Sequence, residues 1–62
     1  MKYREILEQL RRDGWVIVTI RGSHRQPKHP RKPGKVTVPG RLGDDVPPKM
    51  LKSIRRQAGW EV

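Results

Sequence analysis

Residues 15–20, Trp-Val-Ile-Val-Thr-Ile, restrict the fold more than any other part of the chain. Every one is β-branched or aromatic, and such side chains suit the pleated surface of a sheet better than a helix, which restricts their χ1 freedom. The alternation of a strand sends Val16, Val18 and Ile20 to one face and Trp15, Ile17 and Thr19 to the other. The run is far too short to span a bilayer. It ends at Arg21-Gly22-Ser23, where Gly22 can take a positive φ and turn the chain back, so residues 24–29 are predicted to return as a second strand. Pro33 and Gly34 stand where a type II turn wants them, and Val36-Thr37-Val38 alternates as a short third strand. This order gives a three-stranded antiparallel sheet.

So small a sheet needs a cover for its apolar face, and both flanks of the chain supply one. Tyr3, Ile6, Leu7 and Leu10 recur at the spacing that puts a stripe on one side of a helix. Gly14 suits the left-handed position that ends such a helix, and Glu8 and Arg12 are spaced as an ion pair on its outer side. After a loop with Gly40, Gly43, Asp44 and Asp45, the pair Pro47-Pro48 suits a second helix start, where proline's missing N–H is not needed. Leu51, Ile54 and Ala58 form that helix's apolar stripe, Gly59 ends it, and Lys49, Lys52 and Arg56 line another side. Asp44 and Asp45 are expected near the positive end of its dipole. The order α-β-β-β-α predicts an α+β two-layer sandwich with a core of Ile6, Leu7, Leu10, Val16, Val18, Val36, Val38, Leu51 and Ile54. Double-stranded RNA-binding domains share this order, a likeness of fold alone. At 62 residues the chain is expected to form one domain over 1–62.

No cysteine is present, so neither disulfides nor a Cys-based zinc site hold this fold together, which fits a cytoplasmic setting. Met1 leads directly into a helical pattern without a signal-peptide hydrophobic region, and no membrane or cofactor is expected as a partner. Fifteen Lys and Arg against six Asp and Glu give a formal net charge of +9. Such an excess favours a polyanion or an acidic protein as partner. The distribution narrows this: from Gly14 to Gly43 there is no acidic residue, while Arg21, Arg25, Lys28, Arg31, Lys32, Lys35 and Arg41 all fall there.

Metal catalysis wants a cluster of His, Cys or carboxylates, whereas His24 and His29 stand apart from Asp44-Asp45. Ser23 and His24 are adjacent, and adjacent residues of an extended chain point to opposite faces, so they form no nucleophile and base pair. Metal-free RNA cleavage asks for less: a base for the ribose 2′-hydroxyl, cations around the phosphorane and a proton for the departing 5′-oxygen. Imidazole titrates near neutrality, which makes His24 the candidate base. Arg21, Arg25 and Lys28 are the nearest candidate cations, with Lys35 further along the basic block. Backbone N–H groups around Gly22 and Ser23 offer a phosphate cradle. On a regular strand His24, Gln26 and Lys28 share a face and His29 lies on the other. Pro27 cannot donate to a ladder, and a bulge there would turn His29 toward His24. Taken alone, a histidine after a turn is more often a surface or capping residue than a catalyst.

The pieces Asp13-Gly14-Trp15, Arg21-Gly22-Ser23-His24, His29-Pro30, Lys32-Pro33-Gly34, Val36-Thr37-Val38-Pro39, Leu51-Lys52-Ser53-Ile54 and Gln57-Ala58-Gly59, in this order and spacing, resemble the HicA family of toxin mRNA interferases. The resemblance covers almost the whole chain. It implies a fold like the double-stranded RNA-binding domain, endoribonuclease activity on messenger RNA within a type II toxin-antitoxin system, and a HicB-like antitoxin as partner. The free protein would then be a monomer and the complex a hetero-oligomer. The resemblance also implies that His24, the histidine of the Gly-Ser-His motif, is the catalytic one, with Gly22 and Ser23 as its setting. One position departs from the pattern: the family usually has an aromatic residue three positions after the motif histidine, where this chain has Pro27.

Two other functions fit the residues. A non-catalytic RNA-binding module would use the same charge and fold without a positioned histidine. A protein that binds an acidic partner is the other, and it is compatible with a toxin held by its antitoxin.

Overall fold

The computed structural model describes residues 1–60. The elements are α1 (Tyr3–Arg12), β1 (Val16–Arg21), β2 (His24–Lys28), β3 (Val38–Pro39) and α2 (Pro48–Gln57). The strands form one antiparallel sheet in the order β1-β2-β3. The α+β two-layer arrangement expected from the sequence is therefore the one observed.

Each helix ends on the glycine that the sequence offers. Gly14 has φ 103° and lets the Trp15 N–H donate to the Leu10 carbonyl at 3.0 Å, while Gly59, at φ 76°, lets the Trp60 N–H donate to the Arg55 carbonyl at 2.9 Å. These closures satisfy carbonyls that a helix end otherwise leaves free. At the start of α1, the Lys2 N–H donates to Glu5 Oε1 at 2.8 Å, and the N–H groups of Tyr3 and Arg4 donate to the carbonyls of Asp44 and Leu42. Asp45 pairs with Lys2 at 3.1 Å. The loop with the two acids thus caps α1, while the first turn of α2 itself holds no acid.

Arg21 and His24 pair across a two-residue turn in which Gly22 has φ 58° and Ser23 has a negative φ, the pattern of a type II′ hairpin. The expected bulge falls on β1, between Ile17 and Thr19, and not on β2. It resets the alternation: Ile17 pairs with Pro27, while Thr19 pairs with Gln26. Pro27 sits in the central strand after all. Its carbonyl accepts the Val36 N–H at 3.1 Å. A residue's N–H and C=O point to the same side of an antiparallel strand, so the donor that proline lacks would have faced Val36. There the β2–β3 ladder breaks, leaving the pairs His24↔Pro39 and Arg25↔Val38 and an isolated bridge Lys28↔Lys35. The third strand is accordingly shorter and later than residues 36–38.

The core holds Tyr3, Ile6, Leu10, Trp15, Val36, Val38, Val46, Ile54 and Ala58, with Leu7 and Leu51 partly buried against it. Two expected core residues are not in it: Val16 and Val18 are 61% and 55% exposed. The helices close over Pro27, Val36 and Val38 and leave β1, the edge strand, uncovered. Pro27 is fully buried on the helix side, opposite to His24, so a residue at this position packs the sheet and does not stack on a base.

Candidate functional site

The sheet face turned away from the helices carries the motif histidine. His24 and Gln26 on β2 lie across from Arg21 and Thr19 on β1, and these four side chains line an open depression of about 380 Å³. The type II′ turn fixes the pairing of Arg21 with His24, and the unbroken register from that turn sets Thr19 on the same face opposite Gln26, before the bulge shifts the strand. Sequence reasoning singled out Arg21 and His24, noted Gln26 on their face and missed Thr19. Thr19 follows from plain alternation, two residues before Arg21 on the same strand.

The other expected site residues scatter. Arg25 is half-buried on the helix side, where its guanidinium donates to the carbonyls of Ser23 at 3.3 Å and Gly40 at 3.2 Å. It ties the Gly22-Ser23 turn to the chain beyond β3. Lys28 shares the face of His24 but is four residues along β2, roughly 13 Å at 3.3 Å per residue. Lys35 stands beside it through the Lys28↔Lys35 bridge, and both are exposed. The basic residues therefore form two groups, Arg21 with His24 and Lys28 with Lys35.

His29 is occupied elsewhere. Its Nδ1 accepts the N–H groups of Arg31 at 3.0 Å and Lys32 at 3.1 Å, which leaves the proton on Nε2 to be donated to the Asp13 carbonyl at 2.7 Å. The ring stands edge-on to Trp15 at 5.3 Å and fills the space above Gly14. Asp13 is the centre of this cluster. One carboxylate oxygen, Oδ2, accepts the indole N–H groups of Trp15 and Trp60, each at 3.0 Å, and the Lys32 ammonium at 2.6 Å. Lys32, followed by Trp60, lowers the Asp13 pKa to about 2. The only sequence trace of this junction is that both helices end in Gly-Trp. Among the described residues, no group of three or more His, Asp or Glu side chains is placed to hold a metal ion.

The fold and this face define a small α+β domain of the double-stranded RNA-binding-domain type that presents an exposed histidine beside an arginine. The family described as the HicA toxin of bacterial toxin-antitoxin matches residues 3–60, and the chain belongs to that family. No curated protein matches it. Membership makes it the toxin side of a toxin-antitoxin partnership. Among the described residues no helix is long and apolar enough to cross a membrane.

Proposed function

We propose that this toxin is an endoribonuclease acting on messenger RNA in the cytoplasm, with His24 as the catalytic residue, and that a HicB-like antitoxin restrains it. The observation that carries this reading is the pairing of an exposed His24 with Arg21 on the open sheet face, while the other histidine is held in a structural cluster. His24 removes the proton from a ribose 2′-hydroxyl. The 2′-oxygen then attacks the adjacent phosphorus, and the bond to the 5′-oxygen breaks. Arg21 and the backbone N–H groups at Gly22 and Ser23 stabilise the charge that builds on the phosphorane. Arg25 holds that turn in place. Lys28 and Lys35 contact a neighbouring stretch of the RNA backbone, because about 13 Å separates them from the scissile phosphate. Thr19, Arg21 and Gln26 offer neither a carboxylic acid nor a second imidazole beside His24. The departing 5′-oxygen therefore takes its proton from a water molecule in the open depression, and the hydroxide left behind takes up the proton that His24 removed, which restores the base. The free toxin is a monomer and its complex with the antitoxin a hetero-oligomer.

The test is incubation with a defined RNA in excess chelator, followed by analysis of the new ends. Fragments ending in a 2′,3′-cyclic phosphate, with 5′-hydroxyl partners, are the expected products. Ends with a 5′-phosphate, or loss of all cleavage in chelator, would count against attack by the ribose hydroxyl. A non-catalytic RNA-binding module predicts salt-sensitive binding with no products at any protein concentration.

A further inference from the structure

The least protected surface of the molecule is the outer edge of β1. Among the described residues only β2 lies beside this strand, so its other side presents backbone N–H and C=O groups that no strand there pairs. Exposed edges are ordinarily blunted by charges, prolines or bulges, since they template pairing with another chain. Here residues 16–20 carry one bulge and no charge or proline, and Arg21 comes only at the end. Val16, Ile17, Val18 and Ile20 are 61%, 41%, 55% and 61% exposed, an apolar concentration unusual for a free surface. Beside the edge, between α1 and the sheet, runs a groove of about 390 Å³ lined by Leu7, Ile17, Pro27 and Leu42, with Arg4 and the ion pair of Glu8 with Arg11 on its rim.

We infer that the β1 edge and this groove form a protein-docking surface that accepts an extended, acid-flanked segment of a partner chain as an additional antiparallel or parallel strand. Main-chain hydrogen bonds to β1 would hold the segment, and alternate apolar side chains would enter the groove. Charge decides between occupants. A second copy of this chain would bring +9 against +9. A segment with carboxylates beside its apolar residues meets Arg21 at the end of β1 and Arg4 on the rim, which has no acidic partner among the described residues. An added strand lies about 4.8 Å outside β1. It thus borders the depression that Thr19 and Arg21 share with His24, and docking here would crowd that depression from the side. The docking itself does not depend on ribonuclease activity.

The inference is tested without RNA, by titrating synthetic peptides into the isotope-labelled protein and following its amide signals. The probe alternates valine and threonine between paired glutamates; one control replaces the glutamates with lysines, and another interrupts the alternation with proline. The glutamate peptide is expected to shift and protect the amides of residues 16–20 and to perturb Leu7 and Leu42. Both controls should bind at least tenfold more weakly. Val18→Lys and Ile20→Lys should each weaken binding by a similar factor while the indole signals of Trp15 and Trp60, which report the Asp13 cluster, stay in place. No binding, equal binding of the proline-interrupted peptide, or shifts confined to Lys49, Lys52 and Arg56 would overturn the proposal. Concentration-dependent pairing of β1 in the peptide-free protein would also overturn it, because the occupant would then be a second copy. Each of these failures leaves the ribonuclease reading standing.

Discussion

His24 and His29 are five positions apart and live in opposite surroundings. His24 is exposed on the open sheet face, opposite Arg21 and next to a depression large enough for part of a nucleotide. His29 has both ring nitrogens committed to backbone groups of three residues, and its ring is packed against Trp15. The contrast separates two uses of one side chain. A histidine whose donor and acceptor are both spent joins distant parts of the chain, whereas one left accessible beside a cation is available to a substrate. The same division runs through the basic residues: Arg25 and Lys32 are tied to carbonyls and to Asp13, while Arg21, Lys28 and Lys35 remain on the surface.

If the His29 region is structural, disturbing it should cost stability and spare chemistry. The largest effect is expected from Gly14→Ala. Gly14 has φ 103°, and an added Cβ would lie 2.7 Å from His29 Nε2, so the backbone strain of an L-residue and the displacement of a packed ring act together. A loss of about 3 kcal/mol is expected. In a domain of this size that lowers the melting temperature by roughly 12–24 °C, as calorimetry would show. His29→Ala should cost about 1–3 kcal/mol by leaving the Asp13 carbonyl and two N–H groups without their partner. Its rate of RNA cleavage per folded molecule should match the parent. A rate that falls in step with that of a His24 variant would erase the distinction between the two histidines.

Acid should loosen the same cluster. The Asp13 carboxyl, lowered to about 2 by Lys32 and the Trp60 indole, stays ionised in the folded protein where the unfolded chain, with an ordinary pKa near 3.9, has begun to bind a proton. Between those values the unfolded state holds more protons, so stability is full above roughly pH 5 and declines as pH falls through the folded pKa. Glu8 is likewise lowered to about 2, by Arg11 and then Arg12, but it is solvated and contributes little. Denaturant titrations between pH 6 and pH 2 should show the decline, and Asp13→Asn should flatten it. The smallest effect belongs to the surface: Lys28→Ala should weaken RNA binding a few-fold and reduce the slope of log affinity against log salt by roughly 1. Unchanged binding would take Lys28 out of the RNA path.

The elements were legible where a local pattern determines them. The apolar stripes of both helices, the glycines that end them and the Gly22 turn can be read from neighbouring residues, and each lies where expected. The motif histidine and its arginine were also accessible, since a two-residue hairpin places the residues on either side of it opposite each other. What remained hidden depends on partners far away in the chain. The alternation of residues 15–20 marks a strand but does not say that the helices leave it bare, so Val16 and Val18 were assigned to a core they do not enter. Pro27 signalled an irregular ladder, yet the break lies on its Val36 side and the bulge on the opposite strand. His29 meets Asp13 across 16 positions, a contact that no local spacing records.

The central claim, that His24 carries the chemistry and His29 the structure, is tested most directly by measuring cleavage of one RNA by His24→Ala and His29→Ala side by side, each normalised to its folded fraction. The account predicts a loss of about 10²–10⁴-fold for His24→Ala with an unchanged melting temperature, and parental cleavage for His29→Ala with a lowered one. Parental cleavage by folded His24→Ala, or an equal loss in both variants, would contradict it.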